Sequence, residues 1–320
     1  MTRLTSAPFV AALLAIFLHA ATAQAGLVRT CVSQAKGNDA NASSQCHCTT
    51  PCRTFATAAV NTLADGEITV LDPGDYGGLT ITRSISINND SGGEASITVP
   101  GGSTGIIVNA VNGASYVNLR GLTIQGVGFG TTKGLTFNTG LFLTMTNCVV
   151  RNHTGNGIEF FPNASSNLAM SNTLVADNGG DGIRATPNGS GITVNAVFNR
   201  VETYNNSGHG MDLTGNTSTG SIKATVSESV STNNVLSGFQ VSSTAGGAAA
   251  SMMVVRSTAA NNGTAGIRVG TNATVRLSQS TVTGNATGLQ PAGGTLLSYS
   301  DNNVDGNTTD GAPTGTLTNK

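Results

Sequence analysis

The chain has 320 residues, of which 42 are glycine and none is tryptophan. Only 10% of the residues are charged and the formal net charge is −1, which excludes the basic surface that nucleic-acid binding requires. Gly, Ser, Thr and Asn interspersed with β-branched residues favour stacked short strands over a helical or disordered chain.

Residues 1–25 predict a secretory signal peptide. Arg3 precedes an apolar run at residues 9–18, and small residues at 21–25 fit cleavage after Ala23 or Ala25. An N-terminal membrane anchor is the alternative, which the short apolar run disfavours. No later stretch is long and apolar enough to span a bilayer. We therefore expect a secreted protein (extracellular, periplasmic or on the cell surface) without a membrane span.

Four clustered cysteines predict a disulfide-linked N-terminal cap over residues 26–66. In an exported chain, Cys31, Cys46, Cys48 and Cys52 can form two disulfides, with three possible connectivities. A zinc site that includes His47 is the alternative. It is disfavoured because Cys-His-Cys is not a usual ligand spacing and export favours oxidation.

The cap is predicted to contain one short helix, because residues 53–63 place Phe55, Ala59 and Leu63 on one face. Such a cap would cover the first open turn of a repeat domain. Short strands are then expected at residues 67–71, 79–82, 85–87 and 97–99.

From Gly105 onward, a glycine followed by an apolar residue recurs every 22 to 29 residues. Periods of this size indicate a solenoid. The recurring glycines are Gly105, Gly134, Gly157, Gly182, Gly210, Gly238, Gly266, Gly288 and Gly311.

Further columns align with these glycines. A column of large residues predicts a stacked core: Leu119, Met145, Met170, Phe198, Val226, Val254, Leu277 and Tyr299. A polar column lies five residues before the next glycine: Asn152, Asp177, Asn205, Asn233 and Asn261. We expect the polar column to form corners with left-handed backbone, with amides bonded from coil to coil. Cys148 falls in an inward column of small residues and is predicted to be a buried free thiol.

The (Asn/Asp)-x4-Gly-apolar element and the stacked core columns resemble the right-handed parallel β-helix of the pectate-lyase-like superfold. The resemblance runs from about Glu67 onward. It implies an all-β, single-stranded solenoid of about nine or ten coils over residues 67–320. It implies little about activity, since lyases, hydrolases, epimerases and surface proteins all share this architecture.

Charged residues are scarce, and two outward columns carry many of them. One column is Glu159, Arg184, Asp212, Gln240, Arg268 and Gln290; the other is Arg200, Glu228, Arg256, Gln279 and Asp301. Alternating signs across adjacent strands favour stabilising pairs worth about 0.2–1 kcal/mol each. The functional alternative is a sugar-binding groove beside the longest loops, at residues 184–197, 212–225 and 240–253. Its ligand-binding candidates are Glu159, Arg184, Asp212 and Tyr204.

Three catalytic motifs were compared with the chain, and none is complete. Asp177, Asp181 and Arg184 form the closest match to a calcium-dependent lyase. Gly208-His209-Gly210 is similar to an element of polygalacturonases, but that family's other motifs are absent. Asp72-Pro73-Gly74-Asp75 lacks the histidine of the epimerase motif and fits a turn.

Two sets of residues are therefore the catalytic candidates. The first set is Asp181, Arg184, His209 and Asp212; the second is Arg200, Glu202 and Glu228. No metal site or cofactor is predicted, with calcium expected only if the chain acts as a lyase.

The sequence favours an exported binding or structural protein with polysaccharide as its candidate ligand. A polysaccharide lyase or glycoside hydrolase is the alternative, and a structural unit that associates side by side is a third. The sequence does not determine the oligomeric state.

Overall fold

A computed structural model describes residues 26–90, 92–216 and 218–318, so the predicted signal peptide lies outside the described residues. The N-terminal region contains a 3-10 helix, Asp39–Ser44, and one α-helix, α1, Phe55–Asn61. Its strands are β1 Leu27–Val32, β2 Thr62–Val70, β3 Gly74–Asp75, β4 Leu79–Ile81, β5 Ile85–Asn88 and β6 Ala95–Val99.

The remaining strands follow one another as short segments joined by corners and loops. The first fourteen are β7 Thr104–Asn109, β8 Tyr116–Arg120, β9 Leu122–Gly126, β10 Lys133–Thr139, β11 Phe142–Thr146, β12 Val149–Arg151, β13 Ile158–Phe160, β14 Ser166–Ala176, β15 Ile183–Ala185, β16 Thr193–Tyr204, β17 Met211–Thr214, β18 Ser221–Ser227, β19 Val230–Thr232 and β20 Ser237–Ser242. The last ten are β21 Ala249–Val255, β22 Thr258–Ala260, β23 Ala265–Val269, β24 Ala273–Ser278, β25 Thr281–Thr283, β26 Thr287–Pro291, β27 Thr295–Ser298, β28 Asn303–Val304, β29 Thr309–Gly311 and β30 Gly315–Thr316.

These strands form two parallel sheets, and the chain is a right-handed parallel β-helix as the sequence predicted. Sheet A has twenty strands and covers two faces of each coil, while sheet B has ten strands, β4 to β29, and covers the third. Successive coils pair in register, as in Ile158 with Ile183 and Ile183 with Met211. Equivalent side chains therefore stack along the helix axis at about 4.8 Å.

The predicted core columns stack inside the coils, with one register error at the C-terminal end. Met145, Met170 and Phe198 pair across β11, β14 and β16 and are at most 2% exposed. Leu277 pairs with Ser298 rather than with the predicted Tyr299, which is half-buried. The coil that contains β27 and β28 has one additional residue at this point, and Ser300 there has a φ of 64°.

The polar corners have the predicted backbone, but the amide stack lies one residue further along. Asn205 and Asn233 have φ values of 55° and 56°, in the left-handed region that asparagine tolerates. In the described segments, this column has the predicted bond between coils once, from Asn205 Nδ2 to Asp177 Oδ1 at 3.2 Å, and it does not form the continuous stack. Among the described residues, the stacked amides are those of Asn178, Asn206, Asn234, Asn262, Asn285 and Asn307.

The recurring glycines are required by this amide stack. A Cβ atom on Gly182 would lie 2.7 Å from the Gly210 carbonyl oxygen and 2.8 Å from Asn206 Nδ2. No side chain fits at those distances, so the glycine column and the buried asparagine column determine each other.

The cap contains the predicted disulfides, with Cys31 bonded to Cys48 and Cys46 bonded to Cys52. All four cysteines are used in these two disulfides, so the alternative of a zinc site is wrong. Cys148 is a free buried thiol, as expected, and burial raises its pKa to about 11. Within the described ranges, no helix is both long and apolar enough to cross a bilayer.

The helix of the cap is shorter than predicted, because the chain leaves helical geometry after Asn61. Thr54 caps its N-terminus by accepting a hydrogen bond from the Thr57 backbone N–H. Phe55 and Ala58 are its buried residues, whereas Leu63 belongs to β2 and is 40% exposed. β2 starts before the predicted boundary at residue 66, since its partner β1 also joins sheet A.

Candidate functional site

The first candidate set lies on the outward face of sheet B. Glu159 pairs with Arg184, Arg184 with Asp212, Asp212 with Gln240, and Gln240 with Arg268 in successive coils. The inward neighbours of these residues form the core, so the column points away from it. This arrangement confirms the register of the predicted outward column.

A second column, at the turn before these strands, brings His209 and Asp181 to the same edge. Asn156 Oδ1 accepts the backbone N–H of Asp181 at 2.8 Å, and Asp181 Oδ1 accepts that of His209 at 2.7 Å. His209 Nδ1 accepts the backbone N–H of Ser237 at 3.1 Å. Each of these side chains thus accepts a hydrogen bond from a backbone N–H of the next coil. Asparagine, aspartate and histidine can all accept such a bond, which explains why this position carries different residue types.

The Asp212 carboxyl is nearly buried among charged groups. Burial raises its pKa to about 6, and the negative charge of Asp181 adds to this effect. The Thr214 hydroxyl donates to Asp212 Oδ1 at 2.7 Å, while Arg184 Nε lies 3.7 Å from Oδ2. These contacts and the Arg268 charge act in the opposite direction but do not cancel the effect of burial.

His209 is held in its neutral form. Burial lowers its pKa, and the positive charges of Arg268 and Arg184 lower it further, whereas Asp181 opposes both. Because Nδ1 accepts the Ser237 N–H, the ring proton of the neutral imidazole lies on Nε2. His209 therefore offers a hydrogen-bond donor at Nε2.

The resulting cluster, which we call the sheet B cluster, consists of Asp181, Arg184, His209, Asp212 and Arg268. It combines two guanidinium groups and one imidazole N–H as donors with two carboxyl groups as acceptors. Gln240 supports it, since its Oε1 accepts from Arg268 Nη1 at 3.1 Å. Groups with shifted pKa values concentrate at functional sites, which makes this cluster the candidate site of the chain.

The parent chain should lose stability as the pH rises through about 6, and replacement of Asp212 by asparagine should remove this loss. The folded chain retains the Asp212 proton up to a pH of about 6, whereas an ordinary aspartate loses it near 3.8. The stability contribution is thus fully present below pH 3.8 and is lost as the pH rises through about 6. We expect the parent chain to lose about 2–3 kcal/mol of unfolding free energy relative to Asp212→Asn between pH 4 and pH 7. Urea unfolding of both proteins at the two pH values measures this difference.

Asp301→Asn is the matched control, because its pKa is shifted in the other direction. Hydrogen bonds from the Gln279 backbone and the Ser278 hydroxyl lower the pKa of Asp301. Its asparagine variant should therefore lose stability relative to the parent chain as the pH rises. The same pH response in both variants would contradict the assignment for Asp212.

The other candidates do not join this cluster. Glu159 bonds to Lys133 instead of Arg184. Tyr204 and Glu202 lie in β16 of sheet A, on a different face of the coil. Glu228, at the corner between β18 and β19, pairs with Arg256 at 3.2 Å.

The second catalytic set lies along one edge of sheet A, where Arg200 and Glu228 are equivalent residues of adjacent coils. Arg200 and Glu228 occupy corner positions, with φ values of 52° and 50°, that the sequence treated as an outward strand column. Arg200 Nε donates to Asn199 Oδ1 at 3.2 Å. Glu202 is exposed between these corners and the asparagine corner.

Two residues that act on Asp212 are absent from the predicted catalytic and ligand-binding candidates. Thr214 donates a hydrogen bond to Asp212, and the positive charge of Arg268 lowers the Asp212 pKa. Arg268 could have been found from its place in the outward column, two coils beyond Asp212. Thr214 follows Asp212 by two residues, which puts both side chains on one face of β17.

Asp177, the first carboxylate of the lyase-like match, does not join the sheet B cluster. Asp177 lies at an exposed corner, where Oδ1 accepts from Asn205 Nδ2 at 3.2 Å. In the part of the chain that the structure describes, no three His, Cys, Asp or Glu side chains group closely enough to hold a metal ion. Arg184 and Arg268 also bring positive charge to Asp212, which opposes cation binding.

A comparison with solved structures supports the fold. The sequence matches no protein-family model and no curated protein. Among solved structures, the pectate lyase Pel9A aligns with a TM-score of 0.58 and 17% identity, over 84% of this chain and 74% of that one. The A-module of the mannuronan C-5 epimerase AlgE4 from Azotobacter vinelandii aligns with a TM-score of 0.45 and 16% identity, over 80% and 91%. The chain therefore has a pectate-lyase-like parallel β-helix fold.

Proposed function

We propose that the chain is an exported protein that binds an acidic polysaccharide at the sheet B cluster. The observation that carries this proposal is the convergence of Arg184, Arg268 and His209 around the buried carboxyl of Asp212. Guanidinium groups and an imidazole N–H can donate to sugar carboxylates, while Asp181 and Asp212 can accept from ring hydroxyls. The two disulfides of the cap support export.

The arrangement of the cluster favours an extended ligand over a small molecule. The outward side chains repeat at about 4.8 Å from coil to coil, so successive sugar units can meet successive polar groups. The pectate lyase that shares this fold is named for an acidic polysaccharide substrate, which supports the same ligand class.

Binding of oligogalacturonate, measured by calorimetry, tests the proposal. Arg184→Ala and Arg268→Ala should each weaken binding about tenfold, because each removes charge-assisted hydrogen bonds to the ligand. Arg256→Ala is the matched control, since this arginine pairs with Glu228 on sheet A and should leave binding at the cluster unchanged. Equal affinities for all three variants would reject the cluster as the binding site.

A second candidate function is cleavage of the polysaccharide at the same cluster. The observation that favours it is the Asp212 pKa of about 6, which suits a general acid working near neutral pH. Asp212 would give its proton to the leaving sugar oxygen as the glycosidic bond breaks. Asp181 is the candidate base. In hydrolysis it would take a proton from the water that bonds to the sugar C1, and in elimination it would take the C5 proton of the uronate as the C4–C5 double bond forms.

Product assays separate binding from cleavage. Incubation with oligogalacturonate would give new reducing ends by hydrolysis, or unsaturated uronate by elimination. Asp212→Asn should abolish either product while oligogalacturonate still binds. Turnover that persists in Asp212→Asn would rule out this acid, and a parent chain that binds without turnover would leave binding as the function.

A further inference from the structure

The outward face of sheet A carries a feature that the sheet B cluster does not use. The Tyr116 and Phe142 rings are stacked, with centroids 6.4 Å apart and planes at 14°. The other two aromatic pairs among the described residues, Phe55–Tyr76 and Phe137–Phe160, are buried. Tyr116 is 51% exposed, so its ring offers an apolar face to solvent.

This aromatic pair begins a continuous outward column. Phe142 pairs with Asn167, Asn167 with Asn195, and Asn195 with Lys223 in successive coils. Asn195 Nδ2 donates to Asn167 Oδ1 at 3.0 Å, and Asn167 Nδ2 donates to the Leu141 carbonyl at 3.3 Å, which orders the two amides on the outward face. Four coil steps separate Tyr116 from Lys223, a span of about 19 Å.

The far end of the column lies in a positively charged groove. A groove of about 510 Å³ is lined by Lys223, Ser251, Asn272, Thr274 and Arg276. The small residues at its edges, including Ala249, Gly293 and Gly294, create the depression. Its lining, all within the described segment 218–318, contains two cations and no carboxylate.

These two cations differ from others on sheet A. Arg29, Arg120 and Arg256 each pair with an acidic side chain. In residues 26–90, 92–216 and 218–318, neither Lys223 nor Arg276 makes a salt bridge or a side-chain hydrogen bond. The groove therefore holds positive charge that the fold itself does not neutralise.

We propose that Tyr116, Phe142, Asn167, Asn195, Lys223 and Arg276, the sheet A strip, form a second glycan site for an anionic oligosaccharide. One sugar ring stacks on Tyr116 through its C–H face, because aromatic faces carry partial negative charge. The asparagine amides meet ring hydroxyls, and Lys223 and Arg276 pair with acidic groups of the glycan. The ligand lies along the helix axis, one sugar unit to each coil.

The proposal is tested by the number of binding sites for hexagalacturonate, measured by calorimetry on the folded chain. The parent chain should bind two molecules, one at each site. Tyr116→Ala combined with Phe142→Ala should remove one site, and Arg184→Ala combined with Arg268→Ala should remove the other. If the parent chain has a single site and only the double arginine variant removes it, the sheet A strip is overturned. If only the double aromatic variant removes that single site, the sheet B cluster is overturned.

Charge and ring stacking can be tested separately at the strip. Lys223→Ala with Arg276→Ala should weaken hexagalacturonate binding there about tenfold, while neutral cellohexaose is unaffected. Tyr116→Phe retains the ring and should bind like the parent chain. Val197→Ala is the matched control, as an exposed apolar side chain on the same sheet.

Two results would overturn the proposal. Binding that is unchanged in Lys223→Ala with Arg276→Ala would show that the groove does not recognise acidic groups. These two side chains are exposed and unpaired, so their removal should not affect folding. Failure of the parent chain to bind hexagalacturonate at a second site would overturn the proposal directly.

Discussion

Asn234→Ala is expected to lower the free energy of unfolding by about 3–5 kcal/mol, because it leaves several buried polar groups without partners. Asn234 is 1% exposed. Its Oδ1 accepts from the backbone N–H and the side-chain amide of Asn206. Its Nδ2 donates to Asn262 Oδ1 at 3.0 Å and to the Thr203 carbonyl at 3.2 Å. Alanine provides neither function, and no water can replace the amide in so closely packed an interior.

The adjacent residue provides the matched control for this prediction. Asn233 has a φ of 56° and is exposed, so Asn233→Ala should cost only about 1 kcal/mol of backbone strain. Guanidinium unfolding of both variants measures the difference. Hydrogen exchange should also increase at the Asn206 amide in Asn234→Ala alone. Equal destabilisation of the two variants would contradict a structural role for the amide stack.

Removal of the two cap disulfides is expected to destabilise the N-terminal coils by about 2–4 kcal/mol for each bond. Cys31 lies in β1, which pairs with β2 of sheet A, and Cys46 and Cys52 are fully buried beside it. Without the bonds, the cap should open and expose the first coil, because each coil of a solenoid is stabilised by its neighbours.

Hydrogen exchange measures this effect locally. Reduction, or Cys46→Ser with Cys52→Ser, should remove protection from β1 and β2 and preserve it in β16 to β21. Cys148→Ser is the control, since Ser229 occupies the equivalent position three coils later and serine therefore fits there. Unchanged protection in β2 after reduction would contradict the proposed role of the cap.

The sequence predicted the position of the disulfide cap correctly but placed the amide stack one residue away from its true position. The cysteine cluster indicated a disulfide-linked cap, but three connectivities were open until the structure paired Cys31 with Cys48. The amide stack was assigned to Asn205 and Asn233 instead of Asn206 and Asn234. Both columns are rich in asparagine, and a spacing does not distinguish an amide that points inward from one at an exposed corner.

The candidate site was predictable as a column but not as a cluster. The residue after each glycine-apolar pair placed Arg184, Asp212 and Arg268 on one outward face. The position of Asp181 and His209 carries residues of different types in successive coils, so the sequence shows no column there. In the structure it is a column of hydrogen-bond acceptors, in which side chains of different types make the same bond to the next coil.

By itself, the sequence determined the parallel β-helix, its repeat, the cap and the inward position of Cys148, because strand periodicity and coil length follow from the spacing of apolar residues and glycines. Tertiary structure alone decided which charges meet. Glu159 and Asp212 both lie one coil from Arg184. Arg184 forms a salt bridge with Asp212, whereas Glu159 forms one with Lys133. Only the folded coils specify the burial that raises the Asp212 pKa to about 6, since that shift depends on the groups packed around the carboxyl.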